Sequence, residues 1–321
     1  MITEVAVGVV FREDGAVLIG QRLQGKPYAG WWEFPGGKFE PGEDAAQALA
    51  RELDEELGVE VVTSRPWVVR EHVYEHAHVR LHFRRVVRWC GAVRSREGQA
   101  FVWQQPSAID VAPLLPAAVA PITWLGLPPE YAISTAVTIG VEAFLDRLAM
   151  RLGDEARPLR LLQLREPDLE PTAFESLFMA ACDMARAAGA RLLVNSRHPE
   201  HLWRAASEAT GGGVHYTGHD LAAAAGGSRP ALALVGVSCH RPAELRLAGA
   251  LGADLAVYGP VLQTSSHPHA VPIGWDALKS GIESSPVPVY ALGGLDFDDL
   301  EQAMTCGAHG VASQRAAWSS R

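Results

Sequence analysis

The sequence predicts an α/β protein of two domains, and three observations support this fold class. The chain has 321 residues, which is enough for two domains that each bury their own core. Residues 105–130 contain six prolines, which is typical of a segment that leaves one domain and leads to the next. Beyond that segment, apolar runs alternate with amphipathic stretches, as in parallel strands joined by crossover helices. We therefore expect one domain at 1–128 and a second at 129–321.

The composition excludes several classes of protein. Hydrophobic residues make up 48% and charged residues 20% of the chain, as in globular proteins. The formal net charge of −9 disfavours a nucleic-acid polymer as a partner. The four cysteines are scattered without a C-x-x-C motif, which disfavours a disulfide framework and a zinc site: Cys90, Cys182, Cys239 and Cys306. With neither a signal-peptide pattern nor an apolar run of about 18 residues, a reducing cytoplasm without membrane attachment is expected.

Strand patterns surround the centre of the first domain. The β-rich runs 5–11 and 16–21 flank the turn 12–15 and predict a hairpin. A second hairpin is predicted from the period-2 alternation of 68–74 and 78–89. Four histidines share even numbers along this hairpin: His72, His76, His78 and His82. Because the turn at 75–77 breaks the parity, we interpret them as part of a solvent-facing or substrate-edge strand, in preference to a metal site.

The stretch between the two hairpins predicts an amphipathic helix with an acidic face. Its apolar stripe consists of leucines at four-residue intervals: Leu49, Leu53 and Leu57. Glu43 or Asp44 can cap its start, and Gly58 is typical of its end. Three carboxylates at i, i+3 and i+4 share one face: Glu52, Glu55 and Glu56. A hard divalent cation with oxygen ligands would relieve their mutual repulsion, so the face is either a Mg²⁺ site or an ordinary solvated acidic face.

The full motif around this helix distinguishes between those readings. The string fits G-x5-E-x7-R-E-U-x-E-E-x-G-U, with U aliphatic, at nine defined positions: Gly37, Glu43, Arg51, Glu52, Leu53, Glu55, Glu56, Gly58 and Val59. This is the Nudix box, and residues 1–128 resemble a Nudix hydrolase. The resemblance implies an α/β/α sandwich with a mixed sheet. It also implies a loop–helix–loop that binds Mg²⁺ or Mn²⁺ and cleaves a nucleoside diphosphate linked to another group.

Within that family, the first domain is most similar to MutT-type 8-oxo-dGTP diphosphatases. The likeness is carried by AVGVV at 6–10, by the segment from Arg22 through WEFPGGK, and by REGQ at 96–99. It implies that a small nucleoside triphosphate is hydrolysed by water to the monophosphate and pyrophosphate. The metal ligands that it implies are the Gly36 carbonyl and four carboxylates: Glu52, Glu55, Glu56 and Glu97. Either Glu52 or Glu97 would take the proton from water, and the pattern does not select between them.

The same resemblance assigns the remaining positions of the site. Arg22 and Phe34 would lie at the base, Lys38 would approach the phosphates, and Glu43 and Arg51 would form a supporting ion pair. One position departs from the MutT pattern, because Ala118 stands where an Asn would hydrogen-bond the oxidised purine. A site that depends on buried hydrogen bonds loses discrimination when one partner is missing. The departure therefore concerns the choice of base and leaves the hydrolytic chemistry intact.

The second domain shows eight candidate strands in about 190 residues. They are predicted at 131–136, 159–165, 191–195, 212–215, 231–237, 254–258, 287–292 and 309–312. Eight strand–helix units favour a compact (β/α)₈ TIM barrel, with a doubly wound sheet as the alternative. Because barrel active sites lie at the carboxyl ends of the strands, residues there are the candidates for chemistry.

Short motifs at those ends resemble the thiamine phosphate synthase/TenI family. They occur in family order: Gln163-Leu164-Arg165-Glu166, Asn195-Ser196-Arg197, Gly213-Val214-His215 with Asp220, Gly236-Val237-Ser238-Cys239-His240, Gly259-Pro260 with Thr264, and Gly293-Gly294. The resemblance implies substrate contact by Arg165. It also implies a phosphate held by backbone amides at Gly293, Gly294 and 312–313.

Three departures weaken synthase chemistry in the barrel. Pro167 replaces a Lys, Ser196 replaces a metal-binding Asp, and His267 replaces a second Lys. A TenI-like role fits better, because His240 occupies the place of the proton-transferring His of thiazole tautomerases. The alternative for His240 is a histidine at the barrel rim without chemistry.

The leading hypothesis is thus a Mg²⁺-dependent hydrolase of oxidised purine nucleoside triphosphates joined to a TenI-like barrel. One alternative is a hydrolase of a thiamine-pathway pyrophosphate, which Ala118 motivates. Another is a hydrolase regulated by a non-catalytic barrel that binds a thiazole or thiamine phosphate.

Overall fold

The computed structural model describes residues 2–264 and 271–319. The chain divides into two compact units, Met1–Leu127 and Pro128–Arg321. Within the described ranges, none of the helices combines the length and the apolar character that crossing a bilayer requires.

The first unit is built on a mixed sheet. Its strands are β1 Ile2–Val10, β2 Val17–Gln21, β3 Trp32–Glu33, β4 Gly36–Lys38, β5 Glu60–Tyr74, β6 Ala77–Cys90 and β7 Phe101–Gln104. Four of them form a sheet in the order β4-β1-β6-β5, in which β1 is parallel to β6 and antiparallel to β4. The other three form an antiparallel sheet in the order β3-β2-β7. The predicted mixed sheet of the first domain is confirmed.

Helix α1 (Ala45–Leu57) has the predicted ends and the predicted buried stripe. Asp44, not Glu43, is the N-cap, and it forms a capping box with Gln47. Gly58 ends the helix in the left-handed conformation at φ 68°. The leucine stripe is wholly buried against apolar side chains of the sheet: Ala6, Val10, Leu18 and Val86. A second helix, α2 (Pro116–Leu125), follows the last strand.

The strand pairing departs from expectation at the first hairpin. β1 and β2 belong to different sheets, and only a single bridge between Phe11 and Val17 joins the predicted pair. The second hairpin is longer than predicted and turns at 75–76. His78 and His82 face the same side as Glu71, whereas His72 faces the other side, because the turn interrupts the alternation.

The second unit is a closed parallel barrel. Its strands are β8 Glu130–Ile133, β9 Leu161–Leu164, β10 Arg191–Asn195, β11 Gly213–Tyr216, β12 Leu234–Cys239, β13 Leu255–Tyr258, β14 Val289–Leu292 and β15 Gly310–Ser313. Its helices are α3 Ala136–Ile139, α4 Val141–Leu152, α5 Pro171–Ala187, α6 Glu200–Thr210, α7 Gly218–Ala225, α8 Pro242–Leu251, α9 Gly274–Ile282 and α10 Leu300–Thr305. Each strand pairs in parallel with its neighbours, and β8 closes the ring between β15 and β9. The predicted barrel is confirmed and the doubly wound alternative is wrong.

Candidate active site

Two adjacent glycines bring the loop before α1 against the helix. In β4, Gly36 pairs with Val7 and Gly37 pairs with Ala6. A Cβ atom on Gly37 would lie 2.1 Å from the carboxylate carbon of Glu52. The Glu52 carboxylate therefore occupies the space that any other side chain at position 37 would take, and the glycine lets the loop backbone reach it.

Arg51 organises the acidic side of α1. Its guanidinium donates to both carboxylate oxygens of Glu43, at 2.8 and 2.9 Å, and to the Lys38 carbonyl at 2.9 Å. It also donates to Glu52 at 3.0 Å and to Glu55 at 3.1 Å. The Arg51 guanidinium lowers the pKa of Glu43 to about 2. This side chain thus ties the loop to the helix and partly neutralises two of the three carboxylates on the acidic face.

The loop that carries Glu97 is attached to the last turn of α1. The backbone amides of Arg94 and Arg96 donate to the carbonyls of Leu57 and Glu56 at 3.0 and 2.9 Å. These carbonyls lack partners within the helix, so the loop satisfies the helix end. The attachment places Glu97 near Glu56, although the two are far apart in sequence.

Glu56 lies in the centre of this anionic cluster. Burial raises its pKa to about 7, and the carboxylates of Glu52 and Glu97 add to the effect. Glu97 is half-exposed, with Lys26 3.8 Å away as a weak ion-pair partner. The fold thus brings together carboxylates that were predicted as metal ligands, and these carboxylates destabilise one another when all are ionised.

The donor chemistry fits a hard divalent cation, although the side chains do not yet form a closed shell. Among the residues that the structure describes, no three His, Cys, Asp or Glu side chains are already arranged to hold a metal ion. One reason is visible at Glu55, which is 57% exposed and directs its carboxylate to Arg51. The available donors are carboxylate oxygens beside a glycine carbonyl, and these are the ligands that Mg²⁺ takes.

The other residues predicted to contact the substrate have different surroundings. The Arg22 guanidinium forms an ion pair with Glu33 and donates to the Pro27 carbonyl at 2.8 Å. Phe34 is buried and packs edge-on against Phe83, so it belongs to the core wall of this region. Ala118 is buried in the first turn of α2. Lys38 is exposed at the end of β4.

In the barrel, the first motif is engaged in holding the loop after β8. The Arg165 amide donates to the Ser134 hydroxyl at 2.8 Å. Buried Glu166 accepts hydrogen bonds from the amides of Ala136 and Val137, at 2.7 and 2.9 Å. Glu166 therefore fixes the start of α3, and Arg165 is half-buried beside it.

The position of the lost metal-binding Asp is filled by a hydroxyl network. Ser196 donates to Asp220 at 2.5 Å and Thr217 donates to the same oxygen at 2.8 Å. The pKa of Asp220 is lowered, mainly by the hydrogen bond from the Ser196 hydroxyl. The replacement of Asp by Ser196 thus removes one carboxylate, and the Ser196 hydroxyl binds the carboxylate of Asp220. His267 lies outside the described residues.

Two histidines occupy the carboxyl ends of neighbouring strands. His240 is exposed, and its Nδ1 lies 2.8 Å from the Gly259 carbonyl. The other ring nitrogen, Nε2, takes no part in this contact. His215 is buried, with Nδ1 3.0 Å from the Tyr131 hydroxyl and Nε2 2.9 Å from the Ser238 hydroxyl. Burial lowers the pKa of His215 to about 3, so its imidazole is neutral. Gly236 makes room for this ring, because a Cβ atom there would lie 2.6 Å from Nδ1.

The glycine pair after β14 has the close approach that an anion nest requires. Gly293 and Gly294 have φ values of 104° and 67°. A Cβ atom on either residue would come within 2.5 Å of Pro260 or of the Gln263 carbonyl. Both positions therefore require glycine, and Gly293 is buried whereas Gly294 is exposed.

Comparisons with known proteins support both halves of the chain. The NUDIX domain model matches residues 6–123, and the thiamine monophosphate synthase model matches 131–317. An 8-oxo-dGTP diphosphatase of Haemophilus influenzae is 36% identical over 36% of this chain and 85% of its own length. A CTP pyrophosphohydrolase of Escherichia coli is 38% identical over 35% of this chain and 82% of its own. A putative thiamine-phosphate synthase 2 of Aquifex aeolicus is 34% identical over 58% of this chain and 95% of its own.

These matches agree with the complete acidic motif on α1 and with the closed barrel. The chain is therefore a Nudix hydrolase, an enzyme that cleaves phosphorus anhydrides, joined to a member of the thiamine monophosphate synthase/TenI family.

Proposed function

We propose that the first unit is a Mg²⁺-dependent diphosphohydrolase of nucleoside triphosphates, with 8-oxo-dGTP as its substrate. The observation that carries the proposal is the carboxylate cluster of Glu52, Glu56 and Glu97, which is assembled by the Gly37 contact and by the loop attached to the end of α1. The Gly36 carbonyl and Glu55 would complete the ligand set. The relatives named for 8-oxo-dGTP and CTP hydrolysis support the same chemistry.

The chemistry is the attack of water on a phosphorus of the triphosphate. When bound, Mg²⁺ would neutralise the phosphate oxygens and acidify the attacking water. Glu97 is suited to accept the proton, because it is half-exposed and only weakly paired with Lys26. As the water oxygen bonds to phosphorus, the bond to the bridging oxygen breaks and pyrophosphate leaves with the electron pair. Lys38, which is exposed, would pair with the phosphates.

Steady-state kinetics on a substrate panel test this proposal. We expect the full chain with Mg²⁺ to convert 8-oxo-dGTP to the monophosphate and pyrophosphate with a higher kcat/KM than dGTP, and EDTA to abolish turnover. The panel should include CTP and hydroxymethylpyrimidine pyrophosphate, because Ala118 removes the residue that would favour an oxidised purine. Preference for the pyrimidine pyrophosphate would refute the assigned substrate and support a thiamine-pathway role.

For the barrel, we infer a site for a thiazole phosphate without synthase activity. The required glycines at 293 and 294 support phosphate binding, and His240 is suited to proton transfer through Nε2. Pro167 and Ser196 replace groups that a pyrophosphate and its metal would need. Calorimetry with hydroxyethylthiazole phosphate should show binding to the full chain, whereas added hydroxymethylpyrimidine pyrophosphate should yield no thiamine phosphate. Absence of binding heat, or formation of thiamine phosphate, would contradict the inference.

A further inference from the structure

The start of α2, where the nucleobase is expected to bind, lacks the polar side chain that the MutT pattern has at position 118. Ala118 contributes only a buried methyl group, and its own amide donates to the Leu115 carbonyl at 2.8 Å. Two backbone hydrogen bonds fix the segment before α2 to β3. The Trp32 amide donates to the Pro113 carbonyl, and the Leu115 amide donates to the Trp32 carbonyl. Position 118 therefore cannot recognise a base by hydrogen bonding, and any recognition must come from neighbouring groups.

Tyr74, the last residue of β5, places a hydroxyl in this region. The hydroxyl is buried, and within the described ranges its hydrogen has no acceptor, whereas the Ala117 amide is a donor beside its oxygen. Burial raises the pKa of Tyr74 to about 12, and the Glu33 carboxylate adds to this effect, whereas a hydrogen bond from the Ala117 amide and the charge of Arg22 lower it. The hydroxyl thus lies between the start of α2 and the Arg22–Glu33 ion pair. Buried hydroxyl hydrogens without an acceptor are rare in native proteins, and one beside an expected ligand site is a candidate ligand contact.

Aromatic rings hold this hydroxyl in place. The Tyr74 ring contacts His72 at a centroid distance of 4.3 Å, Tyr28 at 5.4 Å and His76 at 5.5 Å, the last in a stacked arrangement. Tyr28 has a φ of 59°, which is rare for a bulky residue, and it also packs against Trp31 at 5.1 Å. The rings leave the Tyr74 hydroxyl little freedom to turn toward a protein partner.

The other polar groups of the region are already partly engaged. Arg22 donates to Glu33 and to the Pro27 carbonyl, so it is held by the protein. Glu33 accepts from Arg22 through Oε1, and Oε2 makes no hydrogen bond to another described residue. A ligand would therefore meet the Tyr74 hydroxyl as a donor and the Glu33 carboxylate as an acceptor.

We propose that Tyr74, together with Glu33, determines which base the hydrolase accepts, an inference that rests on the proposed function of the first unit. The Tyr74 hydroxyl donates to a carbonyl oxygen of the base, and Glu33 accepts from the adjacent ring N–H. Guanine, 8-oxoguanine and uracil present this carbonyl–N–H edge. Cytosine and adenine present an amine beside an unprotonated ring nitrogen, and Glu33 disfavours that nitrogen.

The test is Tyr74→Phe in the full chain. We expect wild-type protein to favour 8-oxo-dGTP, dGTP and dUTP over dCTP and dATP in kcat/KM. Loss of one hydrogen bond should lower kcat/KM for the first three by about tenfold and leave the other two nearly unchanged. The thermal midpoint of the variant should change little, because the buried hydroxyl hydrogen that is removed has no protein acceptor.

The matched control is Tyr258→Phe, which removes a hydroxyl from barrel strand β13 and should leave all five nucleotide kcat/KM values unchanged. Equal substrate ratios for wild type and Tyr74→Phe would overturn the role of Tyr74, as would a wild-type preference for dCTP. If the wild-type protein hydrolysed none of these nucleotides, the proposed function itself would fail, which is a distinguishable result.

Discussion

Replacement of Glu52 or Glu56 by Gln is expected to reduce nucleotide hydrolysis by a factor on the order of 10² or more. Each substitution keeps the side-chain shape but removes a charge from the cluster that would hold the cation. Pyrophosphate release from 8-oxo-dGTP at saturating Mg²⁺ measures the effect. Glu60→Gln is the control, because Glu60 is an exposed carboxylate of the same unit at the start of β5.

The Glu56 variant also separates chemistry from folding. Glu56 is half-buried among like charges, so Glu56→Gln should leave the thermal midpoint of the metal-free protein equal to or above that of wild type. A loss of activity with retained stability indicates a functional carboxylate. Activity of the Gln variants at the wild-type rate would show that this cluster is not the catalytic centre.

The second large effect is expected from Gly37→Ala. The added Cβ atom would lie 2.1 to 2.3 Å from the carboxylate atoms of Glu52. Because the clashing atoms are the end of a flexible side chain, the fold can relax by displacing the carboxylate. A displacement of about 1 Å at a reacting centre can cost about 10²-fold in rate. We therefore expect a large fall in kcat with a small change in the free energy of unfolding, measured by denaturant titration.

Gly36→Ala provides the contrasting variant. Gly36 has a φ of 145°, and a Cβ atom there would lie 2.1 Å from the Ala6 backbone oxygen. That clash involves β1 itself, so the free energy of unfolding should fall by about 1–3 kcal/mol. If Gly37→Ala destabilised the protein as much as Gly36→Ala and kept its kcat, the proposed role of the Gly37–Glu52 contact would be wrong.

Sequence patterns predicted those parts of the molecule that depend on local periodicity. The leucine stripe and Gly58 locate α1 because a helix repeats every 3.6 residues and ends readily at a glycine. The barrel strand at 191–195 has the predicted bounds. The strand predicted at 231–237 instead spans Leu234–Cys239, since its extent depends on pairing with β11 and β13 rather than on apolarity alone.

The parts that sequence could not supply depend on contacts between distant segments. Nothing local indicates that the amides of Arg94 and Arg96 satisfy the end of α1 and so bring Glu97 to Glu56. Tyr74 was missed because its signal is a buried hydroxyl hydrogen without an acceptor, which exists only once β5 and the start of α2 are packed together. A tyrosine at the end of an alternating strand is ordinary in sequence.

Tyr131, His215 and Ser238 form a chain of hydrogen bonds at the barrel end, and the tautomer of the imidazole decides which groups in it donate. Within the described ranges the Tyr131 hydroxyl contacts Nδ1 of His215, and donation from this hydroxyl to Nδ1 would place the imidazole proton on Nε2. In that tautomer Nε2 would donate to the Ser238 oxygen, and the serine hydrogen would point away from the histidine. Half-buried Ser238 would then keep its hydroxyl hydrogen for a partner other than His215, because the two buried side chains behind it set the order of donors.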